Sequence, residues 1–307
     1  MKPEEALACA KSLRQSPAFH RRVEQAIRTL AASVNDELST FNIFEFGLRS
    51  DGPDHLQINH IQGYPETDKK TEQRLVQIKI QAISDFARSV NRMQKSSFSE
   101  NLVDELMPVF KDNHSAYSRV LFSFEMELPS GNLTKMTLYG LVDSKRDARK
   151  IGAALNFKDL LALERFISPN LCNIGIDLLP QGSAKLKVYR WWPLIPDDIK
   201  DKNLRSSLQA LHSIFPVRDF GTMLKIRPDG RAESPVKWGI TFRHPTTVGD
   251  ISQLPPLRER FPDFLNYTSR YLPNHTISYL GFDKDAMGIY CGKGIEDWLP
   301  WLRRSDD

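Results

Sequence analysis

The sequence contains little cysteine and no long hydrophobic run. Its 307 residues include three cysteines, which lie far apart in the chain: Cys9, Cys172 and Cys291. This number and spacing exclude a disulfide framework and a Cys-x-x-Cys zinc site, and they are typical of a protein in a reducing cytoplasm. No segment approaches the roughly 18 consecutive apolar residues that a membrane span requires, and the first residues lack the apolar core of a signal peptide. We therefore expect a soluble cytoplasmic protein with no membrane partner.

Familiar catalytic motifs are also missing. The sequence has no Gly-x-Ser-x-Gly, no Walker phosphate loop and no His-Glu-x-x-His, and its seven histidines are dispersed. We therefore expect no side-chain metal site and no organic cofactor. Residues 197–201 match the Asp-Asp-x-x-Asp signature with which terpene-type enzymes hold magnesium. Because they follow Pro196 at an expected helix start, where acidic residues favour the helix dipole, we interpret them as helix capping.

The composition is nearly balanced in charge. Lysine and arginine number 42 against 38 aspartates and glutamates, which gives a net charge of +4, and 40% of the residues are hydrophobic. The small positive excess does not indicate a histone-like or polybasic protein, whereas the apolar content is enough for a sizeable core. No Pro/Gly/Ser-rich linker divides the chain, so we expect a single domain over residues 1–307.

Helix-like and strand-like segments alternate in about five rounds. In each round, apolar residues at helical spacing are followed by two alternating segments joined by a short turn. The expected helices cover 3–35 (divided at Pro17), 70–90, 99–110, 145–168, 197–214, 255–272 and 294–304. The expected strands cover 39–50, 54–63, 116–128, 132–143, 173–179, 184–192, 221–227, 236–243, 275–282 and 288–292. Because sequential hairpins pair antiparallel, the pattern predicts an α+β protein with roughly ten antiparallel strands in α-α-β-β repeats.

The expected strands have one apolar face and one polar face. The amphipathic helices need an apolar partner, so we expect them to cover the apolar faces. The polar faces then share one side of the sheet, which is either an open sheet in water or the lining of a wide lumen in a sheet that curls and closes. Tyrosine and tryptophan alternate there with lysine and arginine, a mixture that suits a pocket better than a wet surface. We therefore favour the closed barrel.

A closed barrel would bring several cations into a confined space. Unpaired, they would repel one another, so they imply an anionic ligand. A diphosphate fits, because arginine and lysine both bind phosphate oxygens and tyrosine ring faces stabilise a nearby carbocation. The candidate diphosphate ligands are Arg49, Lys135, Lys187, Lys225, Arg227 and Lys237.

Three segments of these strands resemble those of a known family. Residues 186–189 (Leu-Lys-Val-Tyr, followed by Pro193) resemble the Leu-Lys-x-Tyr strand of the indole prenyltransferases. Residues 224–227 (Leu-Lys-Ile-Arg) resemble the next such strand, and residues 44–47 (Phe-Glu-Phe-Gly) resemble an early strand of that branch. In element order the whole chain resembles the aromatic prenyltransferases of the ABBA, or PT-barrel, fold. The resemblance implies a ten-stranded antiparallel barrel, surrounded by helices, that transfers a prenyl group to an aromatic acceptor inside it.

Three features depart from the indole branch. Arg227 stands where that branch usually has tyrosine. The second strand offers His55, Gln57 and Asn59 where that branch has an arginine, and Arg49 is the expected substitute. The chain length and the region of Lys135, Tyr139 and Lys237 are closer to the small bacterial enzymes that act on phenolic or naphthalene acceptors.

The resemblance also implies site residues and ligands. Glu45 would accept a hydrogen bond from an indole N–H, although a glutamate paired with Arg49 is the alternative. The expected catalytic residues are Glu45, Tyr189 and Tyr290, and the residues expected to shield the cation or line the acceptor pocket are Tyr139, Trp191 and Tyr279. For the tyrosines, ordinary strand packing is the alternative. The expected donor is dimethylallyl or geranyl diphosphate, the acceptor is an indole-type small molecule, and Mg²⁺ would be held mainly by the diphosphate.

Two other functions fit parts of the pattern. A barrel that carries an anion or a lipid without chemistry predicts saturable binding and no diphosphate release. Nucleic-acid binding predicts an affinity that falls steeply with salt, and it needs an open, exposed sheet. Our leading interpretation is a monomeric prenyltransferase without a nucleic-acid partner.

Overall fold

The strands of the protein close into one barrel. The structure is a computed structural model that describes residues 2–13, 16–32, 41–63, 69–94, 98, 121–128, 130–142, 145–157, 172–180, 183–192, 199, 202–227, 229–283 and 285–292. The strands are β1 (Phe41–Arg49), β2 (Gly52–Gly63), β3 (Leu121–Glu127), β4 (Leu133–Val142), β5 (Cys172–Leu178), β6 (Ala184–Trp192), β7 (Val217–Ile226), β8 (Ala232–Phe242), β9 (Ile277–Phe282) and β10 (Met287–Cys291). Each strand pairs with the next in the chain, and β10 pairs with β1.

Helices connect successive hairpins. In the described ranges they are α1 (Pro3–Ser12), α2 (Pro17–Ala32), α3 (Lys69–Gln94), α4 (Lys145–Ala154), α5 (Lys202–Ile214), α6 (Val248–Ser252), α7 (Pro255–Arg260) and α8 (Pro262–Tyr271). The ten-stranded antiparallel barrel with surrounding helices is therefore confirmed. Among the described residues, no helix has both the length and the apolar character needed to cross a membrane.

The pairing of β10 with β1 decides between the two sheets that the sequence allows. Four residue pairs join these strands in antiparallel register, from Phe46 opposite Cys291 to Arg49 opposite Gly288. Because neither strand is left with an unpaired edge here, the open sheet is wrong and the closed barrel is right. The polar faces consequently surround an enclosed lumen.

The hydrophobic core lies between the barrel and the helices. On β3, Phe122 and Phe124 are fully buried, and the ring of Phe86 from α3 lies 5.7 Å and 5.4 Å from their centroids. Helix α3 buries Ile83, Phe86, Ala87 and Val90, which follow the i, i+3, i+4, i+7 spacing of a single face. The apolar alternation of the strands and the apolar stripes of the helices therefore meet in one layer, as the sequence predicts.

The boundaries of several segments differ from the sequence prediction. Strands β7 and β8 begin four residues earlier than expected, at Val217 and Ala232. Pro235 lies where the register of β7 and β8 shifts, and β9 pairs with β8 only over Trp238–Ile240. A proline is tolerated at such a position because no ladder hydrogen bond is required of it.

The expected helix over 255–272 is wrong as a single element. It is broken at Phe261, where the backbone leaves the helical conformation and Pro262 starts a new helix, and it is preceded by the short α6. The expected helices over 99–110 and 294–304 and the three aspartates of the motif at 197–201 lie outside the described residues.

Replacement of Phe124 by alanine tests the packing of α3 on the barrel. The Phe124→Ala variant leaves a cavity beside Phe86 and Phe122, so we expect the free energy of unfolding to fall by about 3–5 kcal/mol in urea titrations. Ile214→Ala is the control, because Ile214 is 55% exposed and its removal should cost less than about 0.5 kcal/mol. Equal effects of the two substitutions would contradict this packing.

Candidate active site

One part of the lumen is filled by a row of polar side chains. Glu45, Asn59, Ser123, Thr137 and Asp177 are successive register partners on β1 to β5, and each is at most 5% exposed. These five side chains are therefore almost inaccessible to solvent. The partly exposed inner residues include Arg49, Tyr139, Tyr189, Lys225, Lys237, Tyr279 and Tyr290. A ligand in the lumen would therefore contact the tyrosine and cation side.

Glu45 is held by two neighbours. Asn59 Nδ2 donates to Glu45 Oε2, and Ser278 Oγ donates to Oε1. Gln57 extends the network, because its Nε2 donates to Asn59 Oδ1 at 2.8 Å and its Oε1 accepts from Tyr290 Oη at 3.4 Å. Burial raises the pKa of Glu45, although these hydrogen bonds oppose the rise. The alternative partner, Arg49, bonds Asp51 instead.

Most of the cations predicted to bind an anion already have a carboxylate partner. Lys187 Nζ lies 2.7 Å from Asp177 Oδ1, Lys135 Nζ bonds Glu125, and Lys237 Nζ lies 2.9 Å from Asp283 Oδ2. The expectation of unpaired cations is therefore wrong for these lysines. The physical reason is desolvation, since a buried ammonium is costly unless an opposite charge compensates it. The inner parity of β5 could have identified Asp177, because it alternates with Ile174, Ile176 and Leu178.

A second ion-pair cluster lies at the hairpin end of the lumen. Asp51, in the β1–β2 turn, accepts two hydrogen bonds from Arg49 and lies 3.4 Å from Lys237 Nζ. Lys237 thereby connects this turn to Asp283 after β9. Burial opposes the charge on Asp51, but Arg49 and Lys237 outweigh it and lower its pKa to about 2. Arg49 is thus held at the hairpin end of the barrel, and its binding of a diphosphate stays a prediction.

Lys225 is the exception among the lumen lysines. It lies on β7 directly opposite Lys187, is half-buried, and has no carboxylate in ion-pair distance among the described residues. Burial lowers its pKa, and the neighbouring charges of Lys187, Lys237 and Arg49 lower it further. An anion placed beside Lys225 would relieve both effects.

One other predicted residue lies outside this group, and the side chain of another is not described. Arg227 follows the last residue of β7, its side chain is 58% exposed, and its Nε lies 3.4 Å from Glu233. Because the chain turns there, with the Arg227 N–H bonded to the Arg231 carbonyl, Arg227 lies outside the cluster. Trp191 is on the inner parity of β6, opposite Gly221, but its side chain lies outside the described part of the structure.

The four predicted tyrosines form two ring pairs. Tyr139 and Tyr189 have ring centroids 5.9 Å apart, and Tyr279 and Tyr290 have centroids 5.2 Å apart. Burial raises the pKa of Tyr189, Tyr279 and Tyr290, so these hydroxyls are neutral at neutral pH. The structure therefore presents aromatic faces and neutral hydroxyls beside the cations.

Glycines place the tyrosine rings against the barrel wall, a feature that sequence reasoning missed. A Cβ atom at Gly239 would lie 2.0 Å from Tyr279 Oη, and one at Gly47 would lie 2.4 Å from Tyr290 Cε1. One at Gly175 would approach Tyr139 to 3.1 Å. The rings thus lie over backbone that carries no side chain, which keeps them out of the centre of the lumen. The signal was present in the sequence, since these glycines occupy inner positions of their strands.

Ser278 could not have been predicted from alternation. The register of β9 and β10 shifts between Tyr290 and Cys291, and this irregularity brings Ser278 to Glu45 although Tyr279 also faces inward. Among the described residues, no group of three histidine, cysteine or acidic side chains could hold a metal ion.

Comparisons with known proteins identify the fold. No family model matches the chain, and no curated protein matches its sequence. Among solved structures, the NotF prenyltransferase in complex with brevianamide F and DMSPP aligns with a TM-score of 0.58 at 10% identity, over 94% of this chain and 92% of NotF. A 6-dimethylallyl tryptophan synthase gives 0.54 at 13% identity, over 82% of this chain and 80% of its own.

A further similar structure is AnaPT from Neosartorya fischeri. Its TM-score is 0.54 at 9% identity, over 88% of this chain and 87% of AnaPT. At these identities the likeness establishes the fold. The chain therefore has the PT-barrel fold of aromatic prenyltransferases, which confirms at the level of the fold the resemblance seen in the sequence.

Replacement of Gly239 tests the close approach of Tyr279. In Gly239→Ala the new methyl group overlaps the tyrosine ring, which must move, so we expect a loss of about 1–3 kcal/mol in the free energy of unfolding. Gly52→Ala is the matched control, because its Cβ would meet no atom closer than 3.6 Å. In the double variant Gly239→Ala/Tyr279→Ala the clash is absent, so its cost should be less than the sum of the two single costs. Additive costs would contradict the contact.

Proposed function

We propose that the protein is an aromatic prenyltransferase. It transfers a dimethylallyl or geranyl group from its diphosphate to an indole-type aromatic small molecule inside the barrel. The observation that carries this proposal is the position of Lys225, a half-buried cation without a carboxylate partner in the described structure, directly opposite Lys187 in the lumen. The PT-barrel fold supports the same function.

The charges around Lys225 favour an anionic group. The cluster contains the cations Arg49, Lys135, Lys187, Lys225 and Lys237 and their carboxylate partners Asp51, Glu125, Asp177 and Asp283. Each of these cations except Lys225 therefore has a carboxylate in ion-pair distance among the described residues. A diphosphate beside this residue would also be close to Arg49 and Lys237, whose side chains are 27% and 19% exposed. Charge-assisted hydrogen bonds of this kind stabilise a departing diphosphate.

The tyrosines would stabilise and shield the prenyl cation that forms when the diphosphate leaves. Cleavage of the allylic C–O bond transfers its electron pair to the diphosphate and leaves an allylic cation. The faces of Tyr139, Tyr189, Tyr279 and Tyr290 stabilise such a cation and exclude the water that would capture it. An aromatic carbon of the acceptor then forms the new C–C bond, and loss of the ring proton to a base restores aromaticity.

The acceptor would be recognised by the polar side chains next to the tyrosines, around Glu45. Glu45 is the candidate partner of an indole N–H, since each of its oxygens accepts only one of the hydrogen bonds described above and keeps a second lone pair. Tyr290 and Gln57 connect it to the tyrosine pairs. The NotF complex with brevianamide F and DMSPP supports an aromatic acceptor and an allylic diphosphate as the substrate pair.

Magnesium would be held mainly by the diphosphate oxygens. The cluster carboxylates Asp51, Glu125, Asp177 and Asp283 are each bonded to a lysine or an arginine, so none is available without loss of an ion pair. When bound, Mg²⁺ would neutralise part of the charge on the leaving group.

A product assay tests the proposed reaction directly. The full chain is incubated with C5, C10 and C15 allylic diphosphates and with tryptophan-like and phenolic acceptors, with and without Mg²⁺, and products are identified by mass spectrometry. We expect a prenylated indole from the C5 or C10 donor and release of diphosphate. Saturable donor binding with neither product nor diphosphate release would contradict the enzyme and support a carrier.

Lys225→Ala tests the cation that carries the proposal. We expect kcat/KM to fall by about 10²–10³-fold, because a preorganised cation at the leaving group is lost. Arg231→Ala, on the same hairpin with a side chain 84% exposed, is the control and should retain wild-type turnover. Normal turnover by the Lys225→Ala variant would remove Lys225 from the site.

A further inference from the structure

Asp177 occupies a special position among the lumen lysines. It lies on β5 between β4, which carries Lys135, and β6, which carries Lys187, and its register partners are Thr137 and Lys185. The two inner lysines are therefore its diagonal neighbours on either side. Gly175, directly opposite Lys187, carries no side chain, and the rings of Tyr139 and Tyr189 lie over it.

A single oxygen of Asp177 makes both of its described hydrogen bonds. Thr137 Oγ1 donates to Asp177 Oδ1 at 2.6 Å, and Lys187 Nζ donates to the same atom at 2.7 Å. The Asp177 and Lys187 side chains are 6% and 8% exposed. The carboxylate is thus fixed by the threonine, and the ammonium by the carboxylate.

Lys187 would be surrounded by other cations without this carboxylate. The charged and titratable groups around it include Asp177, Tyr139, Lys135, Lys225, Arg49 and, two residues away on the same strand face, Lys185; of these, Asp177 supplies the negative charge at neutral pH. Burial alone favours the neutral amine, but Asp177 outweighs it and raises the pKa of Lys187. The same contact lowers the pKa of Asp177 against the effect of its burial.

We propose that Asp177 is a positioning residue that holds the Lys187 ammonium as a cation beside Lys225, so that the two lysines together form the diphosphate site. This inference rests on the proposed function, because it assigns the residue that keeps that site charged. Asp177 touches neither the donor nor the acceptor in this role. It acts through Lys187, and Thr137 fixes its orientation.

The test compares pyrophosphate binding to the wild type and to Asp177→Asn across pH. Calorimetric titrations from pH 6 to pH 9 give the ratio of the two dissociation constants, in which the ionisation of pyrophosphate itself cancels. At pH 6 Lys187 stays charged in both proteins and the variant lacks one negative charge, so it should bind at least as tightly as the wild type. As pH rises, Lys187 loses its proton in the variant alone. Above the lowered pKa of Lys187, the affinity of the variant relative to the wild type should fall by about tenfold per unit of pH.

Matched variants separate this role from simple damage to the fold. Asp219→Asn is the control, because Asp219 is also buried and accepts a hydrogen bond from a threonine on the next strand, Thr241, at 3.0 Å. The ratio of its dissociation constant to that of the wild type should not depend on pH. Asp177→Glu keeps a carboxylate and should show the same dependence of pyrophosphate affinity on pH as the wild type. Thermal unfolding of each variant establishes that it is folded.

The outcomes distinguish a failure of the positioning role of Asp177 from a failure of the proposed diphosphate site. A pH-dependent ratio for Asp177→Asn alone supports the positioning role. A ratio that stays constant with pH, whether the variant binds more weakly or more tightly throughout, overturns it and leaves the diphosphate site intact. If the wild type does not bind pyrophosphate at any pH, the diphosphate site and the inference both fall.

Discussion

The pairing of β1 with β10 is the constraint on which the rest of the structure depends. Four residue pairs close the sheet, and closure turns ten polar strand faces toward a single enclosed space. Side chains that would be solvated on an open sheet must then satisfy one another. Partner carboxylates beside most of the lysines, and the hydrogen bonds from Asn59 to Glu45 and from Thr137 to Asp177, follow from that requirement.

The ion pairs change which cations are expected to attract a ligand. A lumen lined by unpaired lysines would attract any polyanion, whereas here Lys135, Lys187 and Lys237 are paired and Lys225 is not, among the described residues. The neighbouring cations, whose charges are already balanced by carboxylates, can therefore contribute to binding one anion beside Lys225. The tyrosine rings lie on the same side, over glycine backbone, so the cationic and aromatic parts of the site adjoin one another. This arrangement is suited to a ligand with an anionic head and a tail that becomes cationic.

The sequence was sufficient for the fold because its signals were regular. Strict alternation in β1, β3 and β6 and helical spacing in α3 each repeat over several residues, and their order fixes the antiparallel neighbours. The same parity placed the four tyrosines and Lys225 on the inner face.

Prediction from strand alternation failed where the backbone is irregular, as at Pro235 in β8 and at the register shift that brings Ser278 to Glu45. It also could not show which carboxylate would reach which lysine, since diagonal contacts depend on side-chain conformation rather than on register. Arg227 shows the same limit, because parity alone does not reveal that a strand has ended.

We propose that the lumen binds an allylic diphosphate with its diphosphate at Lys225 and its prenyl group among the tyrosines. A crystal structure of the full chain with a thiolodiphosphate analogue of dimethylallyl diphosphate would show this binding mode. We expect diphosphate oxygens within about 3 Å of Lys225 Nζ and the prenyl carbons between the pair Tyr139 and Tyr189 and the pair Tyr279 and Tyr290. An analogue bound outside the barrel, or bound inside it with no contact to Lys225, would contradict this binding mode.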